Sequence, residues 1–277
     1  IGNEPVQTEL RNILKPFYGV LKTMDACIQF AFLTGVTKFG KVSVFSDLNN
    51  LDDISMDWRY FDICGISEKE LYANFEEDIH ALAGQQGETY EKVCDALKAN
   101  YDGYHFTPDT PGMYNPFSLL NTFAKNRFGN YWFATGTPTY LVELLKQNDY
   151  KVNDINGVMV GEEMLAGIDA ADTDPIPVIY QSGYLTIKDY DPEFSLYTLG
   201  YPNKEVEEGF IKFLVPFYTP IVESKSGFQV KNFVREVRTG DIDGFFTRLR
   251  SFFSDTTYEL VRLQELHYSN VLYIVFK

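Results

Sequence analysis

The sequence predicts a mostly helical chain of mixed α/β to α+β class. Three observations lead there. Apolar residues recur at helical spacing in stretch after stretch, most regularly at Leu10, Ile13, Leu14, Phe17, Leu21 and Met24. Several such stretches open on capping residues: Ser67 with Glu70, Asn115 with Pro116, and Asn203. Two runs, 184–187 and 194–199, alternate instead and are rich in aromatic and β-branched residues, the pattern of a β-hairpin. With 45% hydrophobic and 23% charged residues, the 277-residue chain has the material for a globular core.

In chain order, the first helix is expected over 8–31, weakened in its middle by Pro16 and Gly19. Residues 30–33, Phe-Ala-Phe-Leu, read as a buried strand, and Thr34-Gly35 ends it. A strand that ends in this way is how open α/β sheets present residues to a nucleotide. Residues 35–41 spell Gly-Val-Thr-Lys-Phe-Gly-Lys, one step from a phosphate loop. Val42 stands where that loop needs a hydroxyl for Mg²⁺, and the β-branched residues after it make a poor first helical turn. A strand and loop is the preferred account. Residues 47–57 are rich in Asp and Asn, and Asp52-Asp53 fits a solvated loop better than a metal site.

A helix is expected over 68–84, with Leu71, Phe75, Ile79 and Leu82 inward, and another over 89–101. The second ends in Tyr-Asp-Gly-Tyr-His-Phe (101–106), a rigid aromatic corner around an Asp-Gly turn. His105 within it is open to a structural or a general-base role, and no nucleophile adjoins it in sequence. A loop over 108–112 and a helix over 115–128 follow. Residues 131–134 read as a strand or a tight aromatic link, and the helix 139–147 starts behind Thr137 as cap and Pro138 as first residue. The stretch 150–174 is a polar connection with a short helix near 161–165. Asn203 caps a helix over 204–216, residues 224–227 read as a linker, and helices over 240–253 and 263–276 close the chain.

A net charge of −15 and a pI near 4.6 disfavour nonspecific nucleic-acid binding, although Lys231, Arg235, Arg238, Arg248 and Arg250 make the last quarter locally basic. Cys27, Cys64 and Cys94 show no metal spacing and no disulfide framework; buried, reduced thiols in a cytoplasmic protein are expected. No apolar run has membrane length, and no membrane association is expected. No metalloprotease, nucleophile-elbow, dinucleotide or EF-hand motif appears, so catalytic residues are not assigned.

Five stretches carry a resemblance. FLTGVTKFGKVSVFSDLNNL, YDGYHF, YNPFSLLN, YWFATGTPTYL and PVIYQSGYLTIKDYDP occur in that order over nearly the whole chain. They resemble the AAA-ATPase-like proteins of bacteria, in which an ATPase region precedes a C-terminal PD-(D/E)xK nuclease-like domain. The resemblance implies an internal piece of such a protein, with the phosphate loop and acidic Walker B strand upstream of Ile1 and the nuclease motif downstream of Lys277. It implies four regions: 1–48, the C-terminal part of a P-loop ATPase core; 49–148, a helical lid; 149–222, a winged-helix-like unit; and 223–277, the opening helices of the nuclease-like domain. ATP and Mg²⁺ would serve the parent protein, neither being assigned to this chain alone, which lacks a complete active site, and nucleic acid would meet the downstream domain. By position Thr34 and Thr37 are candidates to sense the γ-phosphate, with a turn-capping role equally open for Thr34. Gly136 and Pro138 match a Gly-x-Pro element that packs against adenine, alongside their capping role. The function expected is a nucleotide-dependent switch coupled to a nuclease-like domain. The alternative is a non-catalytic protein-interaction module, possible through self-association or a protein partner, for which the many Tyr and Phe residues are suited.

Overall fold

The computed structural model of the chain describes residues 4–35, 51–135, 139–167, 174–218, 223–254 and 264–277. These form a mostly helical α/β arrangement with two small antiparallel sheets.

Helix α1 (Glu4–Thr23) has the amphipathic spacing expected, but Leu10, Ile13, Leu14, Phe17 and Val20 are 42–69% exposed. Its main neighbour is the single 3₁₀ turn Asp25–Cys27 that follows it. The strand expected at 30–33 is not formed: these residues pair with no described strand, and Phe30 is 81% exposed. Apolar periodicity calls for a covering surface, and the described residues supply none here. The near phosphate loop beyond Gly35, with Thr37, Lys41 and Val42, lies outside the described residues.

Helices α2 (Glu68–Asn74), α3 (Glu76–Gln86), α4 (Tyr90–Tyr101) and α5 (Pro116–Lys125) enclose a first core. The single helix expected over 68–84 is two, divided at Phe75, whose backbone (φ −127°, ψ 20°) leaves the helical region. Local chemistry explains the starts. Ser67 accepts from the Glu70 N–H while the Glu70 carboxylate accepts from the Ser67 N–H, a complete capping box. Asn115 accepts from the N–H groups of Phe117 and Ser118, ahead of Pro116. Leu71, Ile79, Leu82, Val93, Leu97, Tyr101 and Leu119 fill this core. Strands β1 (Ile66–Ser67) and β2 (Met113–Tyr114) pair across its edge.

The second core is larger. It lies between α6 (Thr139–Gln147), α8 (Ile176–Gln181), α9 (Lys204–Tyr218), α12 (Gln264–Phe276) and a three-stranded sheet. The sheet order is β3-β5-β4, from β3 (Val158–Gly161), β4 (Thr186–Asp191) and β5 (Leu196–Gly200). The hairpin expected from the alternating runs is β4–β5, although β4 continues through residues 188–191, which read as turn. A register shift at Lys188 bulges β4. Strand β3 has no counterpart in the sequence reading; the short helix expected beside it is α7 (Glu162–Leu165). The linker expected at 224–227 lies inside α10 (Glu223–Thr239), which turns back into α11 (Ile242–Ser254). Among the cysteines Cys94 is buried, but Cys27 and Cys64 are exposed, correcting the expectation of buried thiols.

The aromatic corner at 101–106 joins the two cores. Its backbone bridges antiparallel to Met113, through Tyr104 N–H to Met113 O at 3.3 Å and Met113 N–H to Tyr104 O at 2.9 Å. From there it reaches the second core. Tyr104 Oη donates to Gly183 O at 3.1 Å. The His105 N–H donates to Thr186 Oγ1 at 2.7 Å, and that hydroxyl donates back to His105 O at 2.8 Å. Lys188 Nζ donates to Pro202 O at 3.1 Å.

Candidate functional site

A cavity of about 480 Å³ lies along this junction. Volume in this range suits a small ligand. Its described lining comes from six separate stretches: Gly35, residues 55–65, the 104–116 hairpin, Trp132, Leu165 and the 180–186 segment. All five stretches that carry the sequence resemblance therefore contribute to the lining.

The walls are mostly apolar. Tyr104 is a partly buried ring whose hydroxyl is pushed far up by desolvation, so it stays protonated and donates to Gly183 O. Trp132 meets Tyr184 edge-on, ring centroids 4.7 Å apart, and Phe133 at 5.1 Å. The Trp132 backbone N–H donates to Glu205 Oε1 at 2.9 Å. Glu205, in the first turn of α9, is 1% exposed, and burial raises its pKa against the hydrogen bond from Trp132. Its other oxygen and the buried Ser118 hydroxyl beside it close no hydrogen bond among the described residues. Glycine at 183 serves a backbone need: its φ of +81° lets the chain turn from α8 into β4 and present its carbonyl to Tyr104.

The polar groups of the lining divide into two kinds. Some are consumed by the fold: Asn115 Oδ1 caps α5, and Thr186 Oγ1 is spent on the His105 backbone. Others are unspent among the described residues. His105 Nδ1 lies 2.8 Å from Thr110 O; a carbonyl only accepts, so Nδ1 carries the proton and Nε2 is left with a lone pair and no partner. The hydroxyls of Tyr180 and Ser182 also find no partner there. Burial pushes the Tyr180 phenol up to about 12, so it remains a donor at neutral pH.

Of the sequence-predicted nucleotide contacts, Thr34 is exposed at the end of the extended segment, and its neighbour Gly35 reaches the cavity. Thr37 lies outside the described residues, as do Gly136 and Pro138. The 3₁₀ turn Trp132–Thr135 leads directly to those last two, and Trp132 lines the cavity. His105 was singled out in the sequence; Tyr180 and Ser182 fall within a stretch that carries the resemblance but were given no role of their own, and nothing local marks Glu205. No group of three or more His, Cys, Asp or Glu among the described residues could hold a metal ion, Asp52-Asp53 included. No helix of the described residues is long and apolar enough to cross a membrane.

Comparison with known proteins adds two findings. Residues 1–45 match the model of a family described as "AAA-ATPase_like: Predicted AAA-ATPase". The chain is also 34% identical, over 278 aligned positions, to an "Uncharacterized protein in vnfD 5'region" of Azotobacter chroococcum mcd 1. That alignment covers 98% of this chain and 51% of the relative, so the chain spans about half the length of the curated relative it matches. Neither description mentions a nuclease. No solved structure matches the chain.

Proposed function

We propose that this chain is the nucleotide-responsive part of an ATPase-like protein. The observation that carries the proposal is the cavity. It gathers Gly35, from the segment that matches the ATPase-like family, together with the aromatic corner, Trp132 and the 180–186 segment. A nucleotide held there would touch both cores and the end of the family-matched segment at once. Phosphate and Mg²⁺ binding belong to residues outside those described, because Val42 denies the near phosphate loop its metal-binding hydroxyl.

The finer organisation follows the sequence resemblance. Residues 1–48 complete a P-loop core, and the exposed stripe of α1 with residues 30–33 packs on a sheet contributed from elsewhere in the polypeptide. Residues 49–148 act as a lid and 149–222 as a winged-helix-like coupling unit in a cytoplasmic protein. Residues 223–277 open a PD-(D/E)xK nuclease-like domain, through which nucleic acid would be met. In this scheme Thr34 and Thr37 sense the γ-phosphate, and Gly136 and Pro138 flank the base. The exposed α1 stripe, with Phe17 at 69% and Phe30 at 81%, also favours a second reading, a protein-interaction module.

ATP turnover by the longer polypeptide tests the first reading. Turnover is expected, and Trp132→Ala should lower kcat/KM by about tenfold or more, a loss of about 1.4 kcal/mol of transition-state stabilisation. Absence of turnover would overturn the ATPase-like reading. Turnover indifferent to Trp132 would leave that reading and remove the cavity from it.

A further inference from the structure

We infer that the cavity is a nucleobase site and that His105 selects bases bearing an exocyclic amino group. The inference deepens the nucleotide reading above and rests on it.

His105 is held by one ring contact and two backbone contacts. Nδ1–H donates to Thr110 O at 2.8 Å, the backbone N–H is held by Thr186 Oγ1 at 2.7 Å, and the backbone carbonyl accepts from the same hydroxyl at 2.8 Å. The partner of Nδ1 is a main-chain carbonyl, which no side-chain rotation can convert into a donor. Nδ1 is therefore the donor nitrogen, and Nε2 is the nitrogen left to accept, with no partner among the described residues. The same cavity holds two unspent hydroxyls, Tyr180 and Ser182, and aromatic walls from Trp132, Tyr104 and Phe106.

An apolar, aromatic slot with one fixed acceptor and two donor hydroxyls fits a flat heteroaromatic ring whose edge alternates N–H donor and ring-nitrogen acceptor. Nucleobases are that class. The fixed lone pair then decides among them. An amino group, as on adenine, donates to Nε2. An oxo group, as on hypoxanthine, sets two acceptors against each other and leaves both unpaired in a desolvated site. Loss of a designed hydrogen-bond partner in such a site discriminates strongly. A free nucleotide is the source favoured over a base in single-stranded nucleic acid, because a strand adds one negative charge per nucleotide and a chain of net charge −15 repels that longer polyanion more strongly.

Fluorescence provides the test. The chain has two tryptophans, and Trp58, 72% exposed and outside the cavity lining, is replaced as Trp58→Phe so that Trp132 reports alone. Titration with adenosine is expected to quench Trp132, with an affinity at least about tenfold above that for inosine. His105→Phe, which keeps a ring and removes the lone pair, should bring the two affinities within about twofold of each other. Circular dichroism of that variant shows that it is folded. Equal quenching by adenosine and inosine in the parent protein would overturn selection by His105 while leaving a nucleobase site. No quenching by either would overturn the nucleobase site itself, and the turnover measurement on the longer polypeptide then judges the ATPase-like reading separately. Oligodeoxyadenylate binding more tightly than adenosine would overturn the assignment to free nucleotide.

Discussion

Replacing Gly103 with alanine is expected to destabilise the folded chain by about 3 kcal/mol. For a chain of this size that lowers the midpoint of thermal unfolding by roughly 6–12 °C. Two costs combine. The backbone at Gly103 has φ +101°, which an L side chain rarely adopts, and an added Cβ would run into the carbonyl oxygen of Pro202. The obstacle is main chain, so no side-chain rotation relieves it. The strain also falls where it does most harm. Gly103 O receives the Lys188 ammonium at 3.5 Å, and the next two residues make the Tyr104–Gly183 and His105–Thr186 bonds between the cores. Gly84→Ala is the matched control. It sits inside α3, its added Cβ would meet nothing within 4 Å, and it should stabilise by about 0.5–1 kcal/mol through helix propensity. Calorimetry of the two variants checks the pair; a Gly103→Ala protein that melts with the parent would contradict this account of the junction.

Removal of the Glu205 carboxyl by Glu205→Ala should cost about 2–3 kcal/mol. It leaves the Trp132 N–H without its acceptor and opens a void beside the fully buried Ser118. Glu205→Gln behaves differently. It keeps an oxygen for the Trp132 N–H and removes the ionisation. Burial raises the pKa of Glu205 in the folded chain, so the neutral acid is the form the fold favours. Its contribution is complete below the ordinary glutamate range and is lost as pH rises through the raised folded value. The stability of Glu205→Gln relative to the parent should therefore grow with pH across that window and level off above it. Thermal melts from pH 4 to pH 8 measure it; a difference that shrinks as pH rises would contradict the buried-acid description.

Local chemistry was legible in the sequence, and assembly was not. The caps at Ser67, Asn115 and Asn203 act within four residues, so composition exposes them, and all three make the bonds expected. The Asp102-Gly103 turn was visible for the same reason. Helix α10 was not, because Gly227 and the small residues around it weigh against a helix that its neighbours sustain. Strand β3 is a four-residue edge strand in a stretch of polar and acidic neighbours, and its pairing partner lies some forty residues away. Phe30 and Phe32 show the limit of periodicity. An apolar pattern signals that burial is wanted, without saying which surface provides it. The cavity depends on long-range placement throughout. The motifs that line it could be recognised singly, but nothing in their spacing brings Trp132 and Tyr180 to one wall. Glu205 looks like any acid in a first helical turn until α9 is packed against the aromatic link.

The most direct test of the central claim, that the cavity holds a nucleotide, is the melting temperature of this chain with and without Mg-ATP. A ligand at a hundred times its dissociation constant stabilises by about 2.7 kcal/mol, a readily measured rise. The account predicts that rise, predicts that Lys41→Ala retains it, and predicts that Trp132→Ala loses it. No rise at saturating ATP, or a rise that disappears with Lys41→Ala and survives Trp132→Ala, would contradict it and return the nucleotide to the loop at residues 35–41.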